Sequence, residues 1–222
     1  MKNKNGCKVF LMSRHLTEDR WERKLNIDTS SARHEKDDKN HSRYEPTPYP
    51  VLERLAESGW IGSGDKLIDY GSGKGRVGFF LSHAVGCESI GVEYDKKLCT
   101  QADLNLSKYS GKRDKVHFVC ENAEDFIVKD ANCFYFFNPF SVKILFSVLG
   151  RIYDSYYENP RKMRLFFYYA LDSYKTQLMN EQNLQFEGEI DMTDLFHNAD
   201  EKEKILIFSL EQHTFGGKSW DD

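Results

Sequence analysis

Residues 66–82, KLIDYGSGKGRVGFFLS, restrict what this chain can fold into more than any other stretch. Leu67, Ile68 and Tyr70 make a short apolar run suited to a buried strand. Gly71, Gly73 and Gly75 follow at alternate positions, and Arg76 to Ala84 reads as a helix with Val77, Phe79, Phe80 and Leu81 as its apolar contacts. Without a Cβ the turn can be tight, and a ligand can lie directly on the main chain. The start of the helix offers free N–H groups to the same ligand. Strand, glycine turn and helix in this order open a βαβ unit.

The rest of the chain continues that alternation. YEPTPYP, residues 44–50, has three prolines in seven residues and predicts an extended, turn-rich approach. A helix over Val51–Ser58 follows, with Val51, Leu52, Leu55 and Ala56 on one face and Gly59 as its stop. After the glycine turn, strands are predicted at Ser89–Glu93, Lys115–Cys120, Cys133–Phe137 and Met163–Ala170. Helices are predicted over Lys96–Tyr109 and from a Ser141 cap to Pro160. Leu184–Ile190 and Lys204–Leu210 read as two further strands, suited to antiparallel pairing. The alternation predicts a mostly parallel sheet with helices on both faces, and 222 residues are enough for one such domain. Residues 1–43 are polar and charge-mixed and are expected to form a partly ordered arm ahead of a domain over 44–222. Within the arm Leu16, Trp21, Leu25 and Ile27 are spaced for one short helix or a docking patch.

In such sheets ligands bind at the carboxyl ends of the strands. Asp69 with the glycine turn, Glu93 with Tyr94, Asn122–Ala123–Glu124 and Asn138–Pro139–Phe140 all fall at predicted strand ends, so four separate motifs converge on one edge. Glu93 lies 18 residues beyond Gly75, where a carboxylate can accept hydrogen bonds from both hydroxyls of a ribose. Asp69 suits a cationic amino-acid moiety and would repel a pyrophosphate.

Together with Asp69, the G-x-G-x-G spacing resembles motif I of class I S-adenosylmethionine-dependent methyltransferases. The resemblance covers roughly residues 44–210. It implies a Rossmann-like, doubly wound, three-layer αβα fold with a seven-stranded sheet in the order 3-2-1-4-5-7-6. The last strand would be antiparallel and 204–210 the inserted one. It also implies S-adenosyl-L-methionine as cofactor and S-adenosyl-L-homocysteine as product. Asp69, Gly71, Ser72, Gly73, Gly75, Glu93 and Tyr94 would hold the donor, with Asn122, Ala123 and Glu124 at its adenine. Asn138-Pro139-Phe140 resembles the (N/D)-P-P-(Y/F) motif of amino methyltransferases, one proline short. By that resemblance Asn138 and a neighbouring carbonyl would hold a target NH2, and Phe140 would cover it. The YEPTPYPVLERL stretch is similar to the segment before motif I in several methyltransferases, lysine methyltransferases among them, so that Tyr44 and Thr47 would border the donor.

Composition narrows the acceptor and the setting. Net charge is -4, but residues 1–45 carry eleven basic against eight acidic side chains. General attraction to nucleic acid or an anionic membrane is not implied, which favours a protein side-chain amine or a small amine over RNA. An RNA acceptor would have to take its phosphate contacts from the basic arm. No stretch is long enough to span a membrane, and no H-E-x-x-H, P-loop or G-x-S-x-G occurs. Five scattered cysteines without C-x-x-C spacing predict reduced, structural thiols and a cytoplasmic protein. Two other readings keep the same fold. One is a nucleotide-dependent oxidoreductase, which the glycine spacing and Asp69 suit poorly; the other is a non-catalytic module that binds the donor without turnover. Oligomeric state leaves no mark in the sequence.

Overall fold

Strict alternation of side chains along the strands sets the layers. In the computed structural model, which describes residues 17–30 and 44–210, seven strands form one sheet. They are β1 (Lys66–Tyr70), β2 (Glu88–Glu93), β3 (Val116–Cys120), β4 (Cys133–Phe136), β5 (Met163–Tyr168), β6 (Gln185–Asp191) and β7 (Lys204–Leu210), in the spatial order β3-β2-β1-β4-β5-β7-β6. The first five are parallel, and β7 enters antiparallel between β5 and β6. This is the doubly wound order expected from the sequence, with 204–210 inserted as expected.

Successive residues of a strand point to opposite faces. Leu67, Cys133, Tyr135, Phe166, Tyr168, Ile205 and Ile207 face one core. Ile68, Tyr70, Phe134, Phe136, Leu165, Phe167, Leu206 and Phe208 face the other. The first core is covered by residues 17–25, which form α1, with α2 (Tyr49–Glu57), α3 (Arg76–Val85) and the end of α4 (Lys96–Lys108). The second is covered by α5 (Val142–Glu158) and α6 (Asp172–Asn180). Across the middle of the sheet the rings of Tyr70, Phe136 and Phe167 stack in sequence, 5.2 Å and 4.6 Å between centroids. Among the described residues no helix is long and apolar enough to cross a membrane.

Trp21, Leu25 and Ile27 dock as their spacing suggests. All three are buried in the first core, and the Trp21 ring meets Phe80 edge-on at 4.8 Å. Leu16 and most of the arm lie outside the described residues. Helix α6 is not among the predicted elements. Its apolar residues are few, and only Tyr174 and Leu178 of this helix are buried. Ser141 stands at the start of α5, but its hydroxyl makes no capping bond.

The cysteines require a correction. Cys99 and Cys120 form a disulfide, while Cys87 and Cys133 are free and buried. Cys7 lies outside the described residues. Parallel pairing sets Cys120 beside Glu93, and Cys99 sits in the first turn of the helix that starts just after Glu93. The two Cα atoms are thereby brought within 5.8 Å across 21 residues of sequence. Spacing along the chain does not reveal such a pairing.

If α1 belongs to the folded unit, Leu25→Ala, which empties a fully buried site, will lower unfolding free energy by about 2–5 kcal/mol. Urea denaturation followed by circular dichroism measures this. A loss below about 0.5 kcal/mol, as for an ordinary surface change, would show that the helix contributes nothing to the core.

Candidate functional site

Backbone hydrogen bonds hold the glycine turn against the next strand. The N–H groups of Gly71 and Ser72 both donate to the Val92 carbonyl, at 2.9 and 3.2 Å, and Gly75 N–H donates to Ser72 O at 2.8 Å. Gly73 N–H donates to Glu93 Oε2 at 2.9 Å. The left-handed backbone at Gly71 and Gly73, φ 73° and 55°, is what this path demands. A side chain would also collide at both places. A Cβ on Gly71 would lie 2.4 Å from Cβ of Pro139, and one on Gly73 would lie 2.2 Å from the Tyr44 ring. Gly75 stands at the start of α3 with φ 90°.

Glu93 organises two turns at once. While Oε2 takes Gly73 N–H, Oε1 accepts from the N–H groups of Tyr94 and Asp95 at 3.0 and 2.9 Å. Burial pushes its carboxyl pKa up, and the three N–H donors oppose that rise. Tyr94 beside it is 42% exposed at the rim. Asp95 caps α4, accepting from Lys97 and Leu98 N–H.

Asp69 is 3% exposed and its Oδ2 has no hydrogen-bond partner. Burial, and then the neighbouring Glu93 charge, push its pKa up to about 8. The Ser72 hydroxyl, also buried, is likewise without a partner. Two buried acids and an unsatisfied hydroxyl beside the exposed Gly71 suit a ligand bearing an ammonium group and hydroxyls. They do not suit an anion such as a pyrophosphate.

Asn122, Ala123 and Glu124 make the turn after β3. Asn122 is exposed, its carbonyl accepts from Asp125 and Phe126 N–H, and its side chain reaches Asp125 at 3.4 Å. Ala123 packs half-buried against the second core, and the Glu124 carbonyl accepts from Arg151 at 3.0 Å. On the other side of β1, Asn138 has φ 42°. Its amide donates to Tyr169 O at 2.7 Å and accepts from Leu171 N–H at 3.3 Å, tying the ends of β4 and β5 together. Pro139 lies on Gly71.

Phe140 departs from the role the motif implies for it. Its ring is 6% exposed, packed edge-on against Tyr70 and Phe136, and its carbonyl accepts from the Tyr174 hydroxyl. With one proline fewer than the motif it resembles, the turn delivers this ring into the second core and not over an acceptor.

Tyr44 and Thr47 both reach the loop. The Tyr44 ring covers Gly73 and its hydroxyl donates to Thr29 O at 2.7 Å. Thr47 Oγ1 lies 3.1 Å from the Tyr135 hydroxyl, and Tyr135 is the register partner of Asp69. Residues that the motifs do not point to also converge here: Arg76, Glu18, Glu22, Thr29 and Asn105. The spacing of Glu18 and Glu22, one helical turn apart beside Trp21 and Leu25, is the only sequence signal for them.

No family model and no curated protein sequence matches the chain. Solved structures do match. An RNA methyltransferase from Salinibacter ruber, in complex with S-adenosyl-L-homocysteine, superposes with TM-score 0.52 at 20% identity, covering 80% of this chain and 100% of its own. A TehB-like SAM-dependent methyltransferase from Corynebacterium glutamicum gives 0.51 at 15% identity over 73% of this chain and 88% of its own. A glycopeptide N-methyltransferase complexed with S-adenosylmethionine gives 0.54 at 12% identity over 73% and 93%. The fold is that of the class I S-adenosylmethionine-dependent methyltransferases.

Asp69 makes a test of the site's electrostatics. Its folded pKa is about 8, above the 3.8 of a free side chain. The folded state therefore retains a proton that the unfolded chain releases between those values. Stability of the unliganded protein should fall by roughly 1.4 kcal/mol per pH unit from this group as pH rises through that window. Asp69→Asn, which cannot ionise, should flatten that part of the curve. Denaturation at pH 5, 6, 7 and 8 compares the two, and identical slopes would mean that Asp69 is ionised throughout.

Proposed function

We propose that this protein is an S-adenosylmethionine-dependent methyltransferase that methylates a nitrogen of a protein side chain or a small amine. The observation that carries the reading is the buried, unpartnered Asp69 carboxylate beside a glycine turn braced by Glu93. The donor's ammonium group would satisfy Asp69, and the one acceptor site left on Glu93 Oε2 would take a ribose hydroxyl. Asn122, Ala123 and Glu124 would meet the adenine, with Tyr94 on its exposed flank.

S-adenosylmethionine supplies a methyl group already activated on a sulfonium, so the protein's task is to bind, orient and exclude water. Asn138 and Pro139 form the floor on the acceptor side. The Asn138 carboxamide is held by the Tyr169 carbonyl and the Leu171 N–H, which fixes the orientation of the group that would meet the acceptor nitrogen. In the transfer that the donor would supply, the nitrogen lone pair would replace the C–S bond, whose electron pair stays with the sulfur, and the proton given up by the nitrogen would pass to water.

The surroundings favour a cationic or amine acceptor over a polyphosphate. Tyr169, next to Asn138, donates to Asp200 at 2.7 Å, and its pKa is pushed up to about 12, first by that bond and then by burial and the charges of Asp200, Glu203 and Glu45. An acidic rim attracts an ammonium-bearing chain and repels phosphates. An RNA acceptor is the second reading, favoured by the Salinibacter neighbour.

Calorimetric titration with S-adenosylhomocysteine, with NADH in parallel, tests the donor. Saturable binding of the first and none of the second is expected, lost or at least ten-fold weaker in Glu93→Ala with its fold checked by circular dichroism. Because Asp69 must ionise to meet an ammonium, binding at pH 7 should release close to one proton, read from buffers of different ionisation enthalpy. NADH binding would move the protein to the oxidoreductases. Donor binding without transfer of a labelled methyl to amines, basic peptides or RNA would leave a binding module.

A further inference from the structure

The N-terminal segment does more than fill the core, because its polar contacts converge on the glycine turn. Arg76 is the first residue of α3, directly after Gly75, and it is 3% exposed. A cation at a helix N-terminus opposes the helix dipole, and a buried one needs full compensation. That compensation comes mainly from residues 17–30. Nη1 donates to Glu18 Oε2 at 2.6 Å and Nη2 to Glu22 Oε1 at 3.2 Å, while Nε donates to Thr29 Oγ1 at 2.7 Å. Nη1 also reaches Thr47 O at 3.1 Å, and the guanidinium lies 4.4 Å from the centre of the Tyr49 ring. Glu22 is itself held, accepting from Tyr49 OH and from the N–H and hydroxyl of Thr29.

A second tie comes from α4. The buried Asn105 amide donates to both Asp28 O and Lys74 O at 3.1 Å, and its oxygen accepts from Asp28 N–H at 2.9 Å. One side chain therefore joins the segment to the middle of the glycine turn. The third tie is Tyr44, whose hydroxyl is fixed by Thr29 O while its ring covers Gly73. Burial raises the pKa of this phenol, with Arg76 opposing and Glu22, Asp28 and Asp69 adding to the rise.

We propose that residues 17–30 are a working part of the donor site, with Arg76 and Asn105 as positioning residues that hold the segment on the glycine turn and Tyr44 as the wall it fixes over Gly73. The inference rests on the donor reading above. Its consequence is linkage. A ligand that needs the turn and wall in this arrangement binds the docked segment in preference to the undocked one, so donor binding and docking strengthen each other.

The test uses the full chain and S-adenosylhomocysteine. Tyr44→Phe removes one oxygen atom and leaves the ring. It should weaken binding about 5- to 10-fold with an almost unchanged melting temperature of the unliganded protein. Arg76→Lys, which cannot serve Thr29 and both glutamates at once, should weaken it further. Lys112→Ala, exposed in the turn that leads into the amino end of β3, should bind as the wild type does. Hydrogen exchange at residues 27–30 should slow when the ligand is added. Wild-type affinity in Tyr44→Phe, with exchange at 27–30 unmoved by ligand, would make the segment a passive buttress and overturn the inference, leaving the donor reading intact. If Arg76→Lys does not fold, Tyr44→Phe decides alone. A wild-type protein that binds no S-adenosylhomocysteine would remove both readings together.

Discussion

The Glu93 carboxylate is the joint on which the site turns. Three backbone N–H groups from two separate turns end on its two oxygens. Gly73 comes from the crossover after β1, and Tyr94 and Asp95 from the start of the crossover after β2. The turns belong to different βα units, and Glu93 works together with the Val92 carbonyl, which takes the Gly71 and Ser72 N–H groups, to keep them in register. A buried carboxylate is costly unless it is hydrogen-bonded, and here those bonds define the shape of the ligand edge. The neighbouring Asp69 is held to the opposite rule. It has a register partner, Tyr135, but no donor for Oδ2. One acid shapes the glycine turn, and the other lies buried beside it with Oδ2 unpartnered.

Much of this was legible in the sequence because the parallel sheet is buried on both faces. Runs such as CFYFF and KILIFSL leave little choice of assignment. The glycine spacing fixes where the sheet switches direction, so the strand ends, and with them Asp69, Glu93, Asn122 and Asn138, could be gathered on one edge before any coordinates. What escaped has a common cause. Helix α6 presents only Tyr174 and Leu178 to the core, too few for a periodicity to register. Glu18, Glu22, Thr29 and Asn105 are polar residues with partners dozens of positions away, and polarity alone reads as solvent exposure. The Cys99–Cys120 bond depends on a strand pairing, which spacing along the chain does not encode. Phe140 was misplaced by analogy, since a missing proline changes which way the next side chain points.

The two cores are not equivalent. The second is closed by α5 and α6 and is almost wholly apolar, with the stack of Tyr70, Phe136 and Phe167 through its centre. The first includes the N-terminal helix and adjoins a polar seam of Arg76, Glu22, Thr29 and Thr47 that runs from the core to the ligand edge. Apolar packing is indifferent to small sliding motions, whereas a hydrogen-bonded guanidinium is not. The side of the sheet that adjoins the glycine turn is thus the side with directional bonds.

The placement of β7 has a consequence for how the protein is made. It lies between β5 and β6, although it is the last of the seven to leave the ribosome. Until residue 210 has emerged, β5 presents an unpaired, strongly apolar edge, and β6 has nothing to lie against. From the completion of β5 at residue 168 until residue 210, the nascent chain therefore carries an open sheet border, a template for pairing with another chain. Final closure comes from the KILIFSL strand entering between two neighbours, so the same seven residues that complete the sheet also cover the apolar edge of β5 and leave the charged QFEGEID strand as its border.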